Sequence, residues 1–271
     1  MRHLCSLALF LSCASDPPTT PHSDPAFFTS GDAKLACALD LPTGTGPFPA
    51  VVLAHGSGRV TREMLLPLAL PFVARGYAVL RYDKRGVGQS TGSYRGVSTA
   101  NSPDMIPLLA ADLAAGAAFL RAHPSIDKDR VGFAGGSQAG WIIPVAATMT
   151  PEARFAVIIS GPTISVGRQI YYFDLADGTT ATQAELSAAL AAYTGPDGFD
   201  PLPTLESVGL PILWLYGGHD RAVPTPESVA ILRSLVDTQR KPFTWKIYPT
   251  AGHQLAVDFW PTVDAWLAAL P

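Results

Sequence analysis

The chain has 271 residues, of which 48 % are hydrophobic and 15 % charged, with a formal net charge of −3. That balance supplies a large core and excludes a charge-rich disordered chain. With no basic run it offers a nucleic acid nothing to hold, and its length suits a single α/β domain. Cys5, Cys13 and Cys37 give neither a disulfide framework nor a C-x-x-C pair, and the six histidines show no zinc-ligand spacing. No metal or organic cofactor is therefore expected.

Residues 1–25 read as a leader and spacer. Arg2 is followed by a short apolar stretch from Leu4 to Leu11, then by small and turn-forming residues, the pattern of a secretory signal. "LFLSC" also resembles a bacterial lipobox with Cys13 as the lipid-anchored residue, although Phe10 and Leu11 are not its favoured types. The expected location is periplasmic, lipid-anchored or secreted, against the plainer reading of an apolar N-terminus on a cytoplasmic protein. No other segment reads as long and apolar enough to cross a bilayer.

From residue 26 onward a domain is expected, built on six short apolar runs: 50–55, 78–83, 130–135, 155–160, 211–217 and 243–249. Each is bounded by Gly, Pro or Asp, as buried strands of a parallel sheet are. Helical patterns lie between and after them at 62–76 (broken up by Pro67 and Pro71), 104–123, 137–149, 225–239 and 257–270. Strand and helix alternating at this spacing predict an α/β fold, a mostly parallel central sheet with helices on both faces. The alternation lapses over about 162–208, where one helical piece, "TQAELSAALAAYTG", stands among Gly-Pro turns. A structureless loop of that length is improbable, so a small cap insertion is expected there.

The run at 130–135 leads into "GGSQAG". A strand that turns sharply into a helix tolerates only small residues two places either side of the turn, and Gly135 and Ala139 fill those places around Ser137. The usual pattern is G-x-S-x-G; here Ala stands last and Gly140 follows one place later. The competing reading is a glycine-rich turn whose serine caps a helix. A serine nucleophile needs a base, and the base an orienting acid. Asp220 and His253 each follow the end of a later apolar run, giving the chain order Ser137, Asp220, His253. His219 is a poor base beside Asp220, and His55 reads as structuring its own loop. Oxyanion donors are expected from the N–H of Gln138 and from the "HGSG" loop, where Ser57 is preferred and Gly58 is its neighbour.

These motifs, together with "RYDKRGVGQSTG" at 81–92, resemble the α/β-hydrolase superfamily over nearly the whole chain after the leader, and its single-domain esterase and serine-aminopeptidase-like branch in particular. The resemblance implies an α/β-hydrolase fold and a serine hydrolase. It also implies that Asp83 and Arg85 hold loops near the site. A serine at the elbow implies acyl transfer to water, with a small-molecule ester as the expected substrate. Peptidase or amidase activity, thioesterase activity and a non-catalytic binding protein are the alternatives. Six acidic residues in the expected cap, Asp174, Asp177, Glu185, Asp197, Asp200 and Glu206, could suit the amine of an aminopeptidase substrate.

Overall fold

The computed structural model describes residues 23–270; the expected leader, Cys13 included, lies outside them. Eight strands form one sheet: β1 (Ser23–Ser30), β2 (Ala33–Asp40), β3 (Phe48–Ala54), β4 (Ala78–Tyr82), β5 (Ile126–Gly136), β6 (Ala156–Ile159), β7 (Ile212–Gly217) and β8 (Phe243–Tyr248). Their spatial order is β1-β2-β4-β3-β5-β6-β7-β8. β2 runs antiparallel to both its neighbours, and β4, β3 and β5 to β8 are mutually parallel.

The parallel strands are apolar almost throughout because both faces of the sheet are covered. Along β3, Ala50, Val52 and Ala54 enter one core while Val51 and Leu53 enter the other. The first core is closed by α2 (Ser102–Arg121), α3 (Ala139–Met149) and α7 (Thr225–Gln239). The second is closed by α1 (Leu66–Ala74) and α8 (Trp260–Ala268). Between β6 and β7 the chain makes α4 (Val166–Ala176), α5 (Gln183–Ala191) and α6 (Leu202–Ser207). Ile164, Tyr172, Ala176, Leu186 and Leu190 give the first two of these a small core of their own.

Several expectations change. The β1–β2 hairpin was not among the expected strands, and it begins at Ser23, ahead of the expected domain start. Its signal is the two-residue Gly31-Asp32 connection, where Gly31 takes φ +55°. β5 extends back through the charged stretch 127–130, with its register to β3 broken between Phe48 and Ala50. Pro67 and Pro71 do not stop α1: Pro67 sits in the first turn, where no N–H partner is lost, and Pro71 is carried inside. α2 is by length and composition apolar enough to cross a bilayer, which corrects the expectation that no such segment follows the leader. Here it is packed on the sheet, with Ile106, Ala110, Leu113, Ala117 and Leu120 fully buried.

Two buried ion pairs tie β4 and the loop that follows it to their neighbours. Arg81 of β4 grips Asp40 of β2 through two hydrogen bonds, of 2.5 and 3.0 Å. Arg85, just past β4, grips Asp112 of α2 in the same forked way, at 2.8 and 2.6 Å. Both members of the second pair are buried, so removing Asp112 leaves the Arg85 charge with only the exposed Asp32 carboxylate, 3.7 Å away, as a partner. Asp112→Ala is expected to lower unfolding free energy by about 3–5 kcal/mol, read from urea denaturation; a loss under about 1 kcal/mol would mean that Arg85 finds water or another partner.

Candidate active site

The turn from β5 into α3 is set by backbone geometry. Ser137 has φ +56°, a left-handed conformation that a residue with a side chain adopts at a cost. Its N–H is held by the Ile159 carbonyl at the end of β6, at 2.8 Å. A Cβ on Gly135 would stand 2.7 Å from both the Ala54 carbonyl and the Ala139 Cβ. A Cβ on Gly140 would stand 2.7 Å from the Gly161 backbone. The small residues around the serine are thus forced by β3 on one side and by the chain after β6 on the other.

Asp220 and His253 lie past the ends of β7 and β8. His253 Nδ1 lies 2.9 Å from Asp220 Oδ2 and 3.1 Å from Oδ1. The Asp220 carboxylate is fully buried, and its Oδ1 also accepts the N–H groups of Ala222 and Val223, each at 2.8 Å. Those bonds fix the carboxylate, and the carboxylate fixes the ring. Leu255, two residues after His253, is buried with φ +47°, another strained point in that loop.

The spacing between the two loops is a backbone contact. Gly218 N–H donates to the Tyr248 carbonyl at 2.8 Å, and His219 N–H to the Ala251 carbonyl at 2.9 Å. A Cβ on Gly217 would stand 2.5 Å from the Ala251 carbonyl, so "YGGHD" carries glycine where the histidine loop presses on it. His219 serves as a backbone tie. His253 makes hydrogen bonds to Asp220 alone among the described residues, and none joins it to the Ser137 hydroxyl; in resting enzymes of this chemistry such a bond is often long.

The "HGSG" loop lies against the elbow: a Cβ on Gly56 would stand 3.8 Å from the Ser137 Cβ. Among the described residues, the N–H groups of Ser57 and Gln138 have no protein acceptor, whereas that of Gly58 is turned to the Tyr94 hydroxyl. His55 is buried and bonded through Nε2 to the Tyr82 carbonyl at 2.6 Å. Burial, helped by the nearby Lys84 charge, pushes His55 down to about 3, so it stays neutral. Asp83 accepts from the Arg62 N–H and guanidinium and from the Gln89 N–H, each at 2.8 Å, which makes it a brace between loops.

Sequence reasoning passed over Lys84. Its side chain is fully buried at the end of β4, and its Nζ donates to the Gly56 carbonyl at 2.6 Å, the Gly58 carbonyl at 2.9 Å and Gln138 Oε1 at 3.3 Å. The Tyr94 ring lies 4.3 Å from Nζ. A lysine inside "DKRG" looks like an ordinary surface charge, and nothing local marks it otherwise.

No three His, Cys, Asp or Glu side chains gather as a metal site among the described residues. A cleft of about 1030 Å³ opens at the opposite, amino-terminal end of the strands, beside Asp129, Arg130, Thr150 and Arg154, far from the elbow along the sheet. Ligands of open α/β sheets bind at the carboxyl ends, so the cleft is not where the chemistry is expected.

Among known proteins, the sequence pattern of the prolyl oligopeptidase family matches residues 68–263. The quorum-quenching protein AidA of Acinetobacter baumannii is 36 % identical over 133 residues, 49 % of this chain and 41 % of that protein. The acylamino-acid-releasing enzyme of Homo sapiens is 25 % identical over 231 residues, 81 % of this chain and 31 % of that protein. The chain thus spans less than half the length of these curated relatives. Acetyl xylan esterase 1 from Thermoanaerobacterium sp. superposes with a TM-score of 0.65 at 21 % identity, over 94 % of this chain and 85 % of that one, a likeness of fold.

Gly217→Ala is expected to force the two loops apart, cost about 1–3 kcal/mol of stability and lengthen the Asp220–His253 bond. Proton NMR reads this directly, through loss of the downfield His253 Nδ1–H resonance. An unchanged resonance in a folded variant would show that the loop spacing does not depend on glycine.

Proposed function

The chain belongs to the prolyl oligopeptidase family within the α/β-hydrolase superfamily, and from that membership we propose that it is a serine carboxylesterase. The observation that carries the proposal is the hydrogen-bonded Asp220–His253 pair at the same sheet edge as a serine held in a strained strand-to-helix turn. In this reading His253 takes the proton from Ser137 as its oxygen attacks the ester carbonyl. The N–H groups of Gln138 and of Ser57 hold the oxyanion. His253 returns the proton to the leaving alcohol, leaving an acyl-enzyme. Water then gives its proton to His253 and attacks that acyl group; the acid departs, and Ser137 regains its proton. Asp220 orients the ring and stabilises the imidazolium.

A peptidase is the second reading, favoured by the family match and by the likeness to an acylamino-acid-releasing enzyme. An aminopeptidase needs a carboxylate for the substrate amine. The six acidic residues of the cap are all solvent-exposed; Glu185 is committed to the Thr182 helix cap, and Asp197 accepts the Ser165 hydroxyl. That arrangement favours an uncharged acyl group over a charged amino terminus.

The test is hydrolysis of p-nitrophenyl esters from acetate to palmitate, beside aminoacyl p-nitroanilides. Wild type is expected to turn over the esters. Ser137→Ala and His253→Ala are each expected to lose roughly 10³-fold or more in kcat, and Asp220→Asn somewhat less. Full activity in Ser137→Ala would sink the serine mechanism, and anilide turnover equal to ester turnover would favour the peptidase.

A further inference from the structure

We infer that Lys84 is a positioning residue for the oxyanion hole, clamping the Gly56–Gly58 loop to the residue that follows the nucleophile. The inference rests on the serine-hydrolase reading above and adds a residue to it.

The burial itself is the first observation. An ammonium in a dry interior is costly unless it is paired, and an apolar side chain of similar size is often the more stable choice there. No carboxylate faces Lys84. Its neighbour Asp83 is turned to Arg62 and Gln89, and Arg85 is turned to Asp112. From the loop after β3 it meets neutral His55, and from the loop beyond Gly92 the ring of Tyr94, whose hydroxyl burial keeps protonated. From the elbow it meets the neutral amide of Gln138. Every hydrogen-bond acceptor it has is uncharged, so pairing does not account for its place.

Its three acceptors do. The Gly56 carbonyl and the Ser57 N–H belong to one trans peptide, and the two groups point in opposite directions. Holding the Gly56 oxygen at 2.6 Å therefore aims the Ser57 N–H away from Lys84. Holding the Gly58 oxygen at 2.9 Å fixes the far side of the same short loop, which glycine would otherwise leave free to rotate. The bond to Gln138 Oε1 ties that loop to the residue whose own N–H is the other expected donor. One cation thus registers two donors that come from separate parts of the chain, and its charge lies behind the peptide dipoles that face the oxyanion. Charge that develops in a water-excluded site is stabilised most by dipoles already in place.

Burial also pushes Lys84 down from its ordinary value to about 7. The sign follows: the ammonium is present below about 7 and is lost as pH rises through it. The clamp therefore weakens on the alkaline side.

Lys84→Met and Lys84→Gln are compared with wild type and Ser137→Ala on p-nitrophenyl acetate across pH, with circular dichroism to establish folding. Two neutral variants are used so that misfolding of one leaves the other to decide. The expected result in a folded variant is a fall of roughly 10²-fold in kcat, little change in KM, and disappearance of the wild-type decline in kcat above neutral pH. Wild-type kcat in either folded variant, kcat and KM changing together as a loosened site would make them, or an unaltered alkaline limb would each overturn the inference. An active Ser137→Ala would instead overturn the serine-hydrolase reading on which it rests, whatever the lysine variants do.

Discussion

The turn at Ser137 is the constraint around which the rest of this structure is arranged. A residue with a side chain at φ +56° is stable only where its surroundings over-determine it. Here β3 presses from one side through Ala54, the chain after β6 presses from the other through Gly161, and the Ile159 carbonyl holds the serine N–H. Because β5 lies between β3 and β6, the strain is borne at the centre of the sheet, where parallel strands and two buried faces leave the backbone little room to relax.

Asp220 and His253, the proposed acid and base, are placed by different means. Neither sits on regular structure; each belongs to a loop just past a strand. Two backbone hydrogen bonds and the absence of side chains at Gly217 and Gly218 bring those loops into contact. Backbone contact is a stiff way to set a distance, since no rotamer change can take it up. The Arg85–Asp112 and Arg81–Asp40 pairs do similar work on the opposite side of the elbow. They replace hydration with forked bonds that fix the loop after β4 to α2, through Arg85, and β4 itself to β2, through Arg81.

The parallel strands were legible in the sequence because a strand covered on both faces is a short apolar run with turn residues at either end. "GGSQAG", "GGHD" and "AGH" were legible because each motif needs residue types that packing alone rarely selects together. What was hidden depends on contacts distant in sequence. β1 and β2 form an antiparallel edge, and Lys34 and Asp32 interrupt their apolar pattern. α4 buries Tyr172 and Ala176 in the small core that it shares with α5, and α6, six residues long, buries Leu205 against the main one, so neither offers the long apolar stretch that marks α2. The charged residues 127–129 lie outside the expected run at 130–135, yet they continue β5 backward at its water-exposed amino-terminal end. Lys84 was beyond reach for the same reason: what makes it unusual is the company it keeps at residues 56, 58 and 138, none of them near it in sequence.

The helices between β6 and β7, the proposed cap, are joined to the Asp220 loop at several points. Tyr172 of α4 donates to the Asp220 carbonyl at 2.9 Å, and Gln169 donates to the Ala222 carbonyl at 2.7 Å. Arg221, the residue next to the acid, reaches back to the Ala176 carbonyl at 2.7 Å and the Ala181 carbonyl at 2.9 Å. Cap and acid therefore do not form interchangeable modules. A cap grafted from a relative to alter selectivity would arrive without these ties and disturb the acid as well, so new specificity in this scaffold is more accessible by changing side chains on the existing helices than by exchanging the helices themselves.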